Sequence, residues 1–217
     1  MSTPHCSFCD MPLHSRTFQA NAARADASAI NGRFIDNDIL LVDDLYVNGA
    51  DLIETAEGLS AWRGSAVSDT GGTYARSSRT SAFMHLSGGV DASLSPFQDS
   101  VSRALHAAAA CYAAAVDNLR LQSDLAVQIL RYGPGQEFTL HADREPGSGR
   151  VYGARQLSAI LYLNDDYEGG ELEFPRQGVA YNPRAGSAIV FPSGFTHPHS
   201  SRPVKTGVKY SAVTWFI

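Results

Sequence analysis

Cysteine is scarce in this chain: three occur in 217 residues, at Cys6, Cys9 and Cys111. A small odd count excludes a disulfide framework and fits a reducing compartment. Positive charge is also in short supply, with 17 Lys and Arg against 22 Asp and Glu, for a net charge of −5. Gripping a phosphate backbone needs clustered basic residues, so no nucleic-acid partner is expected. No apolar run approaches the roughly 20 residues of a membrane span, so no membrane partner is expected either. The opening MSTPHCSFCDMPLH has neither a basic head nor an apolar segment. It does not read as a signal peptide, and a cytoplasmic location is expected. Charged residues make up 18% of the chain and hydrophobic ones 44%, the balance of a folded domain rather than a disordered one.

What the chain has is a change of texture part-way along. Residues 1–32 are rich in Ala, Ser, Asn and Arg without a sustained period. They read as an irregular leader ahead of one domain over 33–217. RFIDNDILLVDDLYV looks strand-like. NGADLIETAEGLSAW reads as a helix with Leu52, Ile53, Ala56 and Leu59 on one face. Residues 63–80 are polar and glycine-bearing, and read as a long loop. SPFQDSVSRALHAAAACYAAAVDNLRL is the clearest helix. It has Ser95 as N-cap, Pro96 in the first turn, and Val101, Leu105, Tyr112 and Val116 as its buried stripe. From Leu125 onward come short strand candidates separated by Gly, Pro, Asn and Asp. Helices first and strands afterwards predict an α+β, mainly β protein, with helices on one face of a sandwich or jelly roll.

Two stretches carry chemistry. HAD places His141 and Asp143 at i, i+2, which in a strand sets both side chains on one face. A third ligand to a shared cation must come from elsewhere, and His197 and His199 are the candidates. Two histidines and one carboxylate on one face of an octahedral ion form the triad of non-haem iron(II), leaving three positions open. An isolated H-x-D is weak evidence, because surface His and Asp are common.

The surroundings are far more specific. YGPGQEFTLHAD, RQLSAILYLNDDYEGGELEFP and HSSRPVKTGVK follow in order. This run resembles the prolyl-4-hydroxylase-like branch of the 2-oxoglutarate and iron(II)-dependent dioxygenases. RTSAFMHL, from Arg79 to Leu86, is similar to the R-T-S segment of that branch, and DDLYVNGADLIETAE to its first strand and helix. The resemblance implies a double-stranded β-helix with N-terminal supporting helices. It also implies Fe(II), with 2-oxoglutarate and O2 as cosubstrates and ascorbate as a reductant. His141, Asp143 and His199 match its iron ligands, and Lys209, ten residues after His199, its partner for the distal carboxylate of 2-oxoglutarate. Tyr162 matches a hydrogen-bond donor to that carboxylate. Tyr132 matches a pocket tyrosine and Trp215 a pocket-wall tryptophan. His197 departs from the pattern. It is either a substrate contact or, with Pro198 breaking the strand, simply exposed. Asp143 favours hydroxylation over halogenation, since halogenating members lack this carboxylate.

Other signals carry less. Cys6 and Cys9 form C-x2-C beside His5 and His14, but no second pair completes a zinc site. Residues 63–80 and 143–156 hold Arg63, Arg76, Arg79, Arg144, Arg150 and Arg155. Guanidinium forks there suit an anionic or amide-bearing substrate, with Arg79 and Arg155 the leading candidates. The expected activity is hydroxylation of an unactivated C–H bond, releasing succinate and CO2. The chain is little more than a catalytic core, which leans the substrate toward a small molecule, an amino acid or specialised metabolite. Peptidyl-prolyl 4-hydroxylation and a non-catalytic metal-binding sensor are the alternatives. Oligomeric state has no signature in the sequence.

Overall fold

A computed structural model of the chain describes residues 32–36, 38–64, 67–69, 72–74, 79–86, 91–144 and 149–217. The leader with Cys6, Cys9, His5 and His14, Arg76, and the side chain of Arg150 lie outside the described residues. In chain order the elements are β1 (Gly32–Asp36), β2 (Ile39–Val42), α1 (Gly49–Glu57), β3 (Arg63–Gly64), β4 (Val67–Asp69), β5 (Gly72–Tyr74) and β6 (Ala82–His85). A 3-10 turn (Ala92–Leu94) leads into α2 (Ser95–Ala115), β7 (Gln128–Tyr132), β8 (Phe138–His141) and α3 (Gly149–Ala154). The rest is β: β9 (Leu157–Tyr162), β10 (Glu168–Gly169), β11 (Leu172–Phe174), β12 (Val179–Tyr181), β13 (Ala188–Pro192), β14 (His199–Ser201), β15 (Val204–Thr206) and β16 (Lys209–Phe216). The expected α+β, mainly β composition is what the chain adopts. Among the described residues no helix is long and apolar enough to cross a membrane.

An eight-stranded sheet, ordered β1-β2-β13-β9-β16-β7-β6-β3, forms the body of the domain. A four-stranded sheet, β12-β11-β14-β8, supplies the second wall of the site. Pairing within both is antiparallel. The central strands of the large sheet are buried on both faces, which explains their unbroken apolar runs. In β13, Ala188 and Val190 face the helical core while Ile189 and Phe191 face the opposite one. In β2, Leu40 and Val42 face the helices, and Ile39 and Leu41 do not. Side chains alternate with period two, so one sheet serves two cores.

The helical face is covered by α2. Val101, Leu105 and Tyr112 are buried as the periodicity predicts. Ala104, Ala108 and Ala109 are buried too, and their small size lets the helix axis sit close to β9 and β13. Two expectations need correction. Val116 lies past the helix end in an extended conformation, and Ser95 is the first helical residue rather than the cap. The capping acid stands earlier: Asp91 accepts from the backbone N–H of Ser93 at 2.9 Å and starts the 3-10 turn. The expected loops also hold structure, with β3, β4 and β5 inside 63–80 and α3 inside 143–156.

Gly49 opens α1 and is buried. A Cβ there would lie 2.1 Å from the Leu163 carbonyl oxygen, and backbone cannot move aside as a side chain can. Helix propensity alone favours Ala over Gly by roughly 0.8–1 kcal/mol. The steric term opposes it and should win, because overpacking typically costs about 1–3 kcal/mol. Gly49→Ala is therefore expected to lower the urea midpoint of unfolding. A raised midpoint would mean that α1 is not docked on Leu163.

Candidate metal centre and cosubstrate pocket

The register of β14 against β8 sets His199 directly opposite His141. Asp143 joins them from outside the ladder, since β8 ends at His141. The i, i+2 strand geometry expected for His141 and Asp143 is thus not how the aspartate gets there. One ligand atom from each of His141, Asp143 and His199 can be chosen so that all lie within 4.8 Å of one another. His141 Nε2 is 3.5 Å from Asp143 Oδ1, and His199 Nε2 is 3.7 Å from Asp143 Oδ2.

Both imidazoles are oriented by main chain. His141 Nδ1 lies 2.8 Å from the Thr139 carbonyl oxygen, and His199 Nδ1 lies 3.1 Å from that of His197. A carbonyl only accepts, so each Nδ1 carries a proton and each Nε2 is the ring nitrogen on the side of Asp143. Burial pushes the His199 pKa down to about 4, and the neighbouring His141 adds to the effect. Burial alone would raise the Asp143 carboxyl. His199, the His141 hydrogen bond and charge, and Arg155 outweigh it and hold the group well below the usual carboxylate range. At neutral pH the site therefore offers an ionised carboxylate and an uncharged His199, the form a divalent cation needs.

Period two also builds the cavity beside these ligands. Lys209, Ser211, Val213 and Trp215 alternate along β16 on the cavity face, as do Leu130 and Tyr132 on β7 and Ile160 and Tyr162 on β9. Lys209 pairs directly with Tyr132 across the strands, and Ser211 with Leu130 and Tyr162. Phe138, Leu172 and Ser201 close the opposite wall, and Arg79 sits on the lining.

Lys209 is 3% exposed. Its Nζ donates to the Gly170 carbonyl at 2.5 Å and to Ser201 Oγ at 3.0 Å. It lies over the rings of Tyr132 and Tyr162 at 5.4 and 5.3 Å. Gly170 approaches this closely because it is a glycine at φ +68°, and a Cβ there would press on the Lys209 stem at 3.1 Å. Among the described residues no carboxylate pairs with this ammonium. Tyr162 Oη is buried in the same cavity with no hydrogen-bond partner among the described residues. An unpaired buried cation beside an unpaired buried phenol is uncommon in a folded protein, and an anion arriving there would satisfy both.

The other expected residues are distributed as follows. Trp215 lines the cavity, with its Nε1 buried and unpartnered among the described residues. Arg79 donates from Nε to Ser81 Oγ at 3.1 Å and lies 4.9 Å from the Phe138 ring centroid. His197 is not exposed, despite Pro198; it is 4% exposed, and its ring does not line the cavity. Its contribution to the centre is a backbone carbonyl. Arg155 is buried and does not line the cavity either. Its guanidinium lies between the rings of Trp215 and Tyr152, at 3.7 and 4.2 Å, and donates to the Asp143 carbonyl at 3.0 Å. Arg63 and Arg144 are exposed. Two residues escaped sequence reasoning altogether. Ser158 Oγ donates to Asp143 Oδ2 at 2.6 Å and contacts Ser193 Oγ at 2.8 Å. Nothing distinguishes these serines from others in a strand and a turn.

A sequence model of the 2OG-Fe(II) oxygenase superfamily matches residues 127–217. That stretch belongs to this superfamily. The oxygenase segment runs from β7 to β16 and holds all three candidate metal ligands together with Lys209. A putative prolyl 4-hydroxylase of Acanthamoeba polyphaga mimivirus is 31% identical over 105 residues, covering 42% of this chain and 43% of the relative. Prolyl 3-hydroxylase 1 of Gallus gallus is 40% identical over 71 residues, covering 30% of this chain and 10% of the relative. The chain thus spans less than half the length of either relative. A solved prolyl hydroxylase from Trichoplax adhaerens, in complex with a hypoxia inducible factor peptide fragment, matches with a TM-score of 0.69 at 14% identity. The match covers 91% of this chain and 88% of that one, and at this identity it speaks for the fold.

The geometry separates the two histidines of the oxygenase segment. His199→Ala should abolish binding of a divalent ion measured by anaerobic calorimetry, while His197→Ala, which keeps the backbone carbonyl, should bind within a few-fold of wild type. The reverse pattern would reject the assignment. Lys209 yields a pH expectation. Burial pushes its pKa from the ordinary 10.5 down to about 7. Between these values the unfolded chain binds the proton and the native one does not, so native stability rises with pH across that window. Without metal or cosubstrate, the stability of wild type relative to Lys209→Met should climb from pH 7 to 10. A flat difference would show that the amine stays charged throughout.

Proposed function

We propose that this chain is an Fe(II)- and 2-oxoglutarate-dependent hydroxylase that acts on a prolyl residue in a peptide. The observation that carries the reading is the buried Lys209 ammonium, without a carboxylate partner among the described residues, sharing one cavity with Tyr162 and the His141–Asp143–His199 cluster. A dianionic cosubstrate would set one carboxylate against Lys209 and Tyr162 and leave its other end toward the cluster. The two walls of the cavity are read as the sheets of a double-stranded β-helix.

His141, Asp143 and His199 would hold the iron, and their net single negative charge suits a divalent ion. Bound iron, with 2-oxoglutarate and O2, would supply the oxidation: the cosubstrate would lose CO2 and take one oxygen atom of O2 to become succinate, and the other oxygen atom would enter a substrate C–H bond. The protein's own work is positioning. Lys209 compensates a charge that would be costly to bury alone. Tyr162 donates the second hydrogen bond. Trp215, Leu130, Ile160 and Val213 keep the cavity apolar and limit water around the oxidant. A protein that never binds 2-oxoglutarate would have no need for both Lys209 and Tyr162.

Peptidyl proline takes precedence over the free small molecule expected from the sequence, because the relatives above are named as prolyl hydroxylases and one solved neighbour holds a peptide. Chain length, the basis for the earlier preference, says little about substrate. Arg79 at the cavity lining is the available guanidinium for a peptide carbonyl.

The test is turnover with Fe(II), 2-oxoglutarate and O2 on proline-containing peptides and, in parallel, on free amino acids. Succinate release with one added oxygen in the peptide, and none in the free amino acids, is the expected result. Oxygen added only to a free amino acid would restore the small-molecule reading. Lys209→Ala should raise the apparent 2-oxoglutarate constant steeply, because breaking a buried charge pair costs about 3–5 kcal/mol. Tyr162→Phe should raise it less, by the roughly 1.5–3 kcal/mol of one hydrogen bond to a charged group. Unchanged 2-oxoglutarate titrations in both variants would remove the cosubstrate from this pocket.

A further inference from the structure

We infer that Ser158 and Ser193 form a one-way hydroxyl relay that positions Asp143 and holds its carboxylate to single-point metal ligation. The inference rests on the metal reading above and concerns residues outside the ligand set. Asp143 lies beyond the end of β8, so no strand ladder fixes its side chain. Three other residues hold this stretch, and one of them reaches the side chain. The Arg155 guanidinium takes its carbonyl, and the next residue, Arg144, donates its N–H to the Ser193 carbonyl at 2.8 Å. Ser158 takes its side chain: the hydroxyl reaches Asp143 Oδ2 at 2.6 Å and Ser193 Oγ at 2.8 Å. Ser158 and Ser193 are 0% and 1% exposed, so both hydroxyls are shielded from bulk solvent.

The direction of the chain follows from counting hydrogens. A carboxylate acting as a ligand has none to give. Ser158 has one hydroxyl hydrogen, and Asp143 Oδ2 takes it. The contact with Ser193 must then run from Ser193 to Ser158. Each donation polarises the next, which strengthens the bond that ends on the carboxylate. Ser193 is itself held, since its N–H donates to the Gln156 carbonyl at 2.9 Å, next to β9. Two strands, β9 and the end of β13, thus fix one carboxylate oxygen. The Ser158 hydrogen takes one lone pair of Oδ2, which also lies 3.7 Å from His199 Nε2, whereas Oδ1, at 3.5 Å from His141 Nε2, is the oxygen this relay does not touch. A carboxylate free to swing onto the metal through both oxygens would take one of the three positions that the triad leaves open.

The test is anaerobic titration of Mn(II) into wild type, Ser158→Ala, Ser193→Ala, the double variant and Ser158→Thr, with metal-free melting curves to report the fold. Ser158→Ala should bind about 10–100-fold more weakly, the range for partners of a metal ligand. Ser193→Ala should lose about fivefold, the worth of one neutral hydrogen bond. Because Ser193 acts through Ser158, the double variant should bind no more weakly than Ser158→Ala. Ser158→Thr keeps the hydroxyl and should retain wild-type affinity. With Co(II) as the probe, the visible bands should shift in Ser158→Ala and not in Ser158→Thr, as expected if the carboxylate changes its mode of ligation. Should Ser158→Ala fail to fold, Ser193→Ala against Ser193→Thr carries the same comparison. Undiminished affinity in Ser158→Ala, or losses that add in the double variant, would overturn the relay. Absence of metal binding by wild type would instead overturn the metal reading itself.

Discussion

Pairing of β14 with β8 sets His199 across from His141, and the rest of the site takes its position from that register. Side chains alternate along a strand, so a slip of one residue would turn either imidazole away from the other. The register is protected by what lies behind it. Phe174 and Phe191 pack edge-on to each other at 4.9 Å, and Phe191 also meets the His199 ring at 4.7 Å. Phe138 stacks on His141 at 3.5 Å. The aromatic residues that fill the core between the sheets are thus the ones that fix the metal-binding edges.

The same alternation divides the large sheet into two environments. One face meets α2 largely through Leu, Val and Ala. The other begins in an apolar cluster around Ile39, Leu41 and Phe191, then changes along β9 and β16 to Tyr162, Lys209 and Ser211. Burying Lys209 works against the stability of the unliganded fold, and the Tyr162 hydroxyl, unpartnered among the described residues, adds to that cost. The apolar face stabilises the domain, while the cavity face holds the polar groups of the candidate site. Local conflict of this kind is expected where a fold serves a site.

Much of this was legible in the sequence, and the limits have physical causes. The helix Ser95–Ala115 and the late strands follow from periodicity, because burial writes itself as a spacing of apolar residues. The ligand set and Lys209 follow from motif resemblance, which encodes three-dimensional neighbours as fixed separations. Asp143 stands with the two histidines as expected, yet it is not a strand residue: spacing along a chain does not say where a strand stops. His197 looked exposed beside a proline, yet it is buried, because burial there depends on β11 and Phe174, far away in sequence. Arg155 looked like a cation for a substrate, whereas two aromatic rings flank it away from the cavity lining. Ser158 left no trace at all. A hydroxyl that matters through one hydrogen bond has the same spelling as one that does not.

The proton on each ligand imidazole is held by a peptide carbonyl, at Thr139 and at His197. Every amino acid supplies that carbonyl, whatever its side chain. The tautomer needed for metal binding is therefore a property of the strand path and not of any particular side chain at either position. Exchange of the side chain at 139 or 197 leaves the acceptor in place as long as the backbone keeps its course. The orientation of the imidazoles is thus written into the fold itself, and the side chains at these two positions are released for other work.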